Sequence, residues 1–122
     1  MNPKLKNEFK IVCFGGGVFS KNELNFFSEN NILEKIRYVE GNDHKLAELY
    51  NSSACLVYPS LYEGFGLPII ESMAIGCPVL ASEIKPIVEI AGDAAIYFDP
   101  KKIEDISQKL ELFLYQNNKN KI

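Results

Sequence analysis

Residues 63–71 read EGFGLPIIE, a glycine–aromatic–glycine turn with one carboxylate at each end of the stretch. Gly64 and Gly66 permit backbone conformations that other residues avoid, and they let backbone amides approach a ligand closely. Pro68 suits the first position of a helix because it has no N–H group to satisfy. Amides at a helix N-terminus attract anions, so this stretch predicts an anion site of a size that suits a diphosphate, flanked by two carboxylates.

Short apolar runs alternate with amphipathic segments on both sides of this turn. The runs are typical of buried strands and lie at residues 9–14, 36–39, 54–58, 78–81 and 94–98. The segments between them have helical spacing and lie at residues 21–30, 44–51, 68–75, 86–90 and from 100 onwards. This alternation predicts right-handed βαβ units in an α/β, Rossmann-like parallel sheet of about five strands, with helices on both faces.

Ligands of such sheets bind beyond the carboxyl ends of the strands. Four loops follow predicted strands and are therefore expected at that edge: residues 15–17, 40–42, 59–66 and 82–83. Local signals also indicate where helices begin and end. Ser20 and Glu23 have the spacing of a capping box, and Gly76 suits a helix C-terminus.

Composition excludes several classes of protein. The 122 residues carry a net charge of −3, and Arg37 is the only arginine, so a nucleic-acid-binding surface is not expected. The chain contains no apolar run of membrane-spanning length and no signal peptide at its N-terminus, which predicts a cytoplasmic location. Cys13, Cys55 and Cys77 form no metal-binding pattern and are expected to be reduced.

A response-regulator receiver is also a doubly wound fold of about this length. Such a domain needs carboxylates after its first strand to hold magnesium, but residues 14–17 read FGGG. The receiver interpretation is therefore rejected.

The turn at residues 63–71 belongs to a longer pattern. Its other members are Ser60, Ala74, Gly76, Pro78-Val79, Ala81-Ser82, Glu89 and Gly92-Asp93. Together these residues resemble the C-terminal, donor-binding half of retaining glycosyltransferases of the GT-B fold, the group 1 or family 4 enzymes with an E-x7-E motif. The resemblance runs from about Phe9 to the final helix, and two glutamates eight positions apart around a GFG turn make it specific.

The resemblance implies a role for each residue of the turn. Glu63 matches the first glutamate of the motif, the candidate catalytic residue beside the transferred sugar. Glu71 matches the second, which accepts hydrogen bonds from the ribose hydroxyls. The amides that would face the sugar and the diphosphate belong to Gly64, Phe65, Gly66 and Leu67.

Two other loops match donor-binding positions of the family. Val39 and Glu40 match the strand end along the nucleobase, and Gly15 and Gly16, with Gly17, match a glycine loop that lines the donor cleft. The implied donor is a UDP-, GDP- or ADP-sugar that supplies a hexose. The family implies no cofactor and no metal, because helix-end amides and basic side chains neutralise the leaving diphosphate.

The chain also departs from the family. Complete enzymes have an N-terminal acceptor domain, and their C-terminal domain begins with a further strand and helix that end in a basic pair. This sequence begins at what resembles the second strand, and Arg37 does not match the basic position. We therefore expect an incomplete domain that is inactive alone, with a polar lead-in at 1–8, a nucleotide-sugar-binding domain at 9–116 and a frayed polar tail at 117–122.

The residues leave other interpretations open. The chain is alternatively a truncated, non-catalytic module that docks on another chain, or on its own copy, through an unpaired sheet edge near Ile11. Glu71 is alternatively an exposed residue that only compensates the helix dipole, and the glycines at 15–17 alternatively serve only a turn.

Overall fold

Residues 2–46 form the first of two compact units and contain a two-stranded parallel sheet. In this computed structural model, which describes residues 8–15, 17–61 and 66–119, strand β1 (Ile11–Phe14) pairs with strand β2 (Ile36–Val39). Helix α1 (Lys21–Glu29) and a 3-10 turn (Leu33–Lys35) connect the two strands. This connection is the βαβ unit that the alternating pattern predicts.

Helix α1 begins with the predicted capping box. The Glu23 N–H donates to Ser20 Oγ at 3.1 Å, and the Ser20 N–H donates to Glu23 Oε1 at 2.9 Å. Beside this helix the rings of Phe19 and Phe27 meet edge to face, with centroids 5.1 Å apart. Even so, no described side chain among residues 8–46 is fully buried. The contacts described for this unit are therefore those of an aromatic cluster around Phe19, not those of a fully buried core.

Residues 47–122 make up most of the second unit, in which three parallel strands lie in the order β3-β4-β5. Helix α2 (Asp43–Ser52) spans the boundary between the units and leads to β3. The elements that follow are β3 (Leu56–Tyr58), α3 (Leu67–Ile75), β4 (Val79–Ser82), α4 (Lys85–Ala91), β5 (Ala95–Phe98) and α5 (Ile103–Lys119). A 3-10 turn (Gly92–Ala94) connects α4 to β5.

The core of the second unit lies on both faces of β4, whose four residues are all buried. On one face Val79 and Ala81 pack against α3 and α4, in a cluster that includes Ile69 and Ile87. On the other face Leu80, and Phe98 on β5, are fully buried, and Leu114 on α5 is buried. Burial on both faces explains why β4 shows almost no polar alternation in the sequence.

The fold confirms the predicted α/β class and all five predicted strands. The expectation of one continuous sheet is wrong, because the structure has a two-stranded and a three-stranded sheet. Alternation along the chain predicts how many strands form, but not which strand edges share hydrogen bonds. Pro68 is the second residue of α3 rather than the first, and α5 ends at Lys119, beyond the predicted start of the tail. The proposed domain limits, 9–116, stay a prediction.

The Cys55 thiol is expected to react slowly. Burial, and next the charge of Cys77, raise the pKa of Cys55 from 9.0 to about 11. At pH 8 the thiolate fraction of Cys55 is therefore expected to be about a hundredfold below that of an ordinary thiol. Iodoacetamide labelling of the native chain, followed by peptide mass spectrometry, checks this, with the chain in urea as the control. Equal labelling rates in the two states would contradict the prediction.

Candidate functional site

The turn before α3 depends on the conformation of Gly66. This residue has φ 61°, in the left-handed region, and its carbonyl accepts the N–H groups of Ile69 at 3.0 Å and Ile70 at 3.2 Å. Pro68 contributes no N–H group. Among the described residues of this helix end, Leu67 is therefore the one whose amide is the candidate for binding an anion, and it is one of the positions predicted from the sequence.

Glu71 lies one turn further along α3. It is four residues after Leu67, and both side chains are exposed on the same side of the helix, opposite the buried Ile69 and Ser72. Helical side chains lean toward the helix N-terminus, so the Glu71 carboxylate is directed toward the turn. The structure thus brings together Gly66, Leu67 and Glu71 of the predicted site.

A second group of predicted residues meets within the first unit. Gly15 has φ 73°, and its N–H donates to the Val39 carbonyl at 3.2 Å, so the carboxyl ends of β1 and β2 are adjacent. Glu40 follows β2 directly, is exposed, and accepts a 2.8 Å hydrogen bond from the Tyr38 hydroxyl. That hydrogen bond is the largest of the effects that raise the pKa of Tyr38. Gly15, Val39 and Glu40 thus lie at one strand edge, as predicted.

Four predicted site residues lie outside the described part of the chain. They are Gly16, Glu63, Gly64 and Phe65. Their roles stay predictions, and the sugar-contacting role of Glu63 is the most important of these.

Three side chains near these groups were not assigned a donor-binding role from the sequence. Tyr38 was assigned only to a strand, although the i, i+2 spacing of Tyr38 and Glu40 is a signal for a same-side pair. Tyr50 is buried at the end of α2, and its pKa is raised by burial first and then by the charge of Glu71. Ser82 is buried, and its hydroxyl donates to the Tyr58 carbonyl at 3.4 Å, joining the carboxyl ends of β3 and β4.

The described residues contain neither a metal-binding cluster nor a membrane-spanning helix. No three His, Cys, Asp or Glu side chains in that part of the chain converge as metal ligands. None of the helices described there is long and apolar enough to cross a membrane.

Replacing Gly66 by alanine is expected to destabilise the second unit by more than the same change at Gly76. Both glycines have positive φ, 61° and 86°, which costs roughly 1–2 kcal/mol for a residue with a Cβ. At Gly66 the new Cβ would also lie 3.0 Å from Ile90 Cδ1, whereas at Gly76 nothing lies within 4 Å. The free energies of unfolding of Gly66→Ala and Gly76→Ala, measured in urea, check this. The double variant Gly66→Ala/Ile90→Val lacks the Ile90 Cδ1 atom and isolates the steric part of the loss. Equal losses for the two single variants would contradict the steric argument.

Comparison with known proteins places this chain in a family. The family model described as Glycosyl transferases group 1 matches residues 1–122. Among solved structures the chain resembles a sucrose-phosphate synthase from Thermosynechococcus elongatus, with 26% identity and a TM-score of 0.71. The likeness covers 87% of this chain and 29% of that chain, and it confirms the predicted Rossmann-like fold of GT-B type.

Several relatives in sequence are named mannosyltransferases. The O-antigen chain mannosyltransferase B of Escherichia coli is 46% identical over 65 residues, which are 53% of this chain and 17% of that protein. The O-antigen chain mannosyltransferase RfbU of Salmonella typhimurium is 40% identical over 68 residues, which are 55% of this chain and 19% of that protein. The matches thus span under a fifth of the length of these relatives. Since the family model covers every residue, this chain belongs to the glycosyl transferases of group 1.

Proposed function

We propose that this chain is the donor-binding domain of a retaining glycosyltransferase and binds a nucleoside-diphosphate mannose. The observation that carries the proposal is the geometry of α3. Its N-terminus follows a glycine in the left-handed conformation, and Glu71 stands exposed one turn later on the side of Leu67. A diphosphate at the turn and ribose hydroxyls at the carboxylate fit this arrangement.

The choice of mannose comes from the relatives. The relatives of Escherichia coli and Salmonella typhimurium described above are named mannosyltransferases. A third relative with such a name is the MMP alpha-(1->4)-mannosyltransferase of Mycolicibacterium hassiacum, which is 36% identical over 72 residues. Retention of the anomeric configuration, a catalytic role for Glu63 and completion by an acceptor-binding domain rest on the family resemblance. The amides up to Leu67 and the dipole of α3 would stabilise the leaving diphosphate.

Calorimetric titration tests the proposal. We expect the chain to bind at least one nucleoside diphosphate with a dissociation constant below the millimolar range, and to bind the corresponding mannose conjugate more tightly than the glucose conjugate. Mannose 1-phosphate without a nucleoside is the control for the sugar alone. Lack of binding by GDP, UDP and ADP, each at millimolar concentration, would refute independent donor binding.

One observation favours a second function, association through β1. Ile11 and Val12 point to opposite faces of this strand, yet both are exposed, by 53% and 43%. Parallel strands are normally covered on both faces, so exposed apolar side chains on both faces of β1 are unusual. An uncovered strand edge also promotes association with another chain. Size-exclusion chromatography with light scattering tests this, with Ile11→Lys as the disrupting variant. A monomer at all concentrations, unaffected by the substitution, would refute self-association.

A further inference from the structure

The turn before α3 is packed against α4 through the side chain of Ile90. Gly66 is buried, and Ile90 Cδ1 lies 3.0 Å from the position that a Cβ at residue 66 would take. The next nearest atom, at 3.8 Å, is Ile69 Cδ1, which belongs to α3 itself. A separation of 3.0 Å between two carbons is closer than ordinary van der Waals contact, so the approach of Ile90 depends on the missing Cβ of the glycine.

Ile90 is in turn held by the core of the second unit. Its side chain is partly buried and packs against the cluster that includes Ile69, Ile87 and Val79. Ile69 and Ile87 are both fully buried. Side chains in such a core are close-packed, and the core therefore resists displacement of what it contacts. Ile90 thus connects this core to the backbone of the turn.

The end of β3 is contacted by the same part of the chain. The Ser82 hydroxyl donates to the Tyr58 carbonyl at 3.4 Å, and the Ile84 N–H donates to the Ser82 carbonyl at 2.9 Å. Tyr58 is the last residue of β3, and Gly66 is the residue before α3. The end of β4 and helix α4 therefore contact the chain both where it leaves β3 and where it enters α3.

The orientation of the peptide unit between Gly66 and Leu67 decides where the Leu67 amide is directed. Its carbonyl oxygen, on Gly66, accepts the N–H groups of Ile69 and Ile70. Because a peptide unit is planar and trans, its N–H is directed opposite to its carbonyl, away from the helix. A hydrogen bond from this N–H to an anion weakens steeply when the angle or the distance changes. A small displacement of Gly66 would therefore weaken the binding of a diphosphate.

We propose that Ile90 is a positioning residue for the diphosphate of the donor, because it fixes Gly66 and thereby orients the Leu67 amide. This inference rests on the proposed function, that a nucleoside diphosphate binds at this turn. Ile90 acts through Gly66 and not through contact with the ligand. Ile87, on the same helix, is more deeply buried than Ile90 but supplies none of the atoms within 4 Å of the Cβ position at residue 66.

The same substitution at these two positions, Ile90→Val and Ile87→Val, tests the inference. Each change removes Cδ1, which at Ile90 is the atom nearest the turn. NMR titration of the 122-residue chain gives the dissociation constants of a nucleoside and of its diphosphate, with whichever of GDP, UDP and ADP binds most tightly. We expect the ratio of the two constants, nucleoside over diphosphate, to fall about three- to tenfold in Ile90→Val, which corresponds to about one hydrogen bond.

The control variant separates positioning from general destabilisation. Ile87→Val should lose at least as much stability in urea as Ile90→Val, because Ile87 is fully buried, yet it should keep the ratio of the unsubstituted chain. The order parameter of the Leu67 amide, measured without ligand, should fall in Ile90→Val and stay unchanged in Ile87→Val.

Two results would overturn the assignment: an unchanged ratio in Ile90→Val, or equal falls of the ratio in the two variants. The second result would mean that binding follows the stability of the core and not the contact with Gly66. If no nucleoside diphosphate binds the unsubstituted chain, the proposed function itself is refuted, and this role of Ile90 with it.

Discussion

Glu71→Ala is expected to lower the affinity for nucleoside diphosphates by about 10- to 100-fold. A hydrogen bond to a charged group contributes about 1.5–3 kcal/mol, and each 1.4 kcal/mol corresponds to a tenfold change in affinity. The ribose hydroxyls would donate to the Glu71 carboxylate, and alanine removes both acceptors. Titration with GDP and UDP measures the loss, and the increase in melting temperature with ligand should disappear in parallel.

The position of Glu71 separates this role from a structural one. Glu71 is the fifth residue of α3, and helix-dipole effects decline within the first turn, so the substitution should leave stability nearly unchanged. Glu71→Gln keeps one acceptor oxygen and should lose less affinity than the alanine variant. Glu104→Ala, at an exposed position in the first turn of α5, is the control that should not affect binding. Unchanged affinity in Glu71→Ala, or a loss explained by unfolding, would contradict the ribose role.

Secondary structure followed closely from the sequence where local chemistry decides it. The pair Ser20 and Glu23 predicted the start of α1 because a capping box satisfies backbone donors within four residues. Gly76 predicted the end of α3 because a positive φ favours glycine. The run at 78–81 predicted β4 because a strand covered on both faces has no polar alternation.

Features that depend on contacts distant in sequence did not follow in the same way. The separation into two sheets depends on which strand edges pair, and apolar runs carry no information about that choice. Tyr38 was predicted as a strand residue, but its ring contact with Phe19 exists only once the loop after β1 folds back onto β2. At the candidate site, Gly66, Leu67 and Glu71 lie as predicted because they share one turn and one helix, whereas Glu63 lies outside the described residues.

Phe98→Ala is expected to produce the largest loss of stability of any variant considered. The Phe98 side chain at the end of β5 is 1% exposed, on the face of the sheet opposite α3 and α4. Truncation of a buried phenylalanine to alanine costs about 3–5 kcal/mol through lost burial and a cavity that closes only partly. Since domains of this size are stable by about 5–15 kcal/mol, much of the total would be lost. The midpoint of urea unfolding measures the change.

Ile96→Ala is the matched control, because Ile96 lies two residues earlier on the same face of β5 but is 39% exposed. A clearly smaller loss is expected there, since 39% of Ile96 stays exposed to water in the folded unit. The Phe98 carbonyl also accepts the Glu83 N–H at 2.8 Å, so the side chain anchors the strand end that orders the loop after β4. Nucleotide binding by Phe98→Ala should therefore fall together with its folded fraction, whereas Glu71→Ala should lose binding while folded. If Phe98→Ala were no less stable than Ile96→Ala, burial on this face would not be a source of stability for the unit.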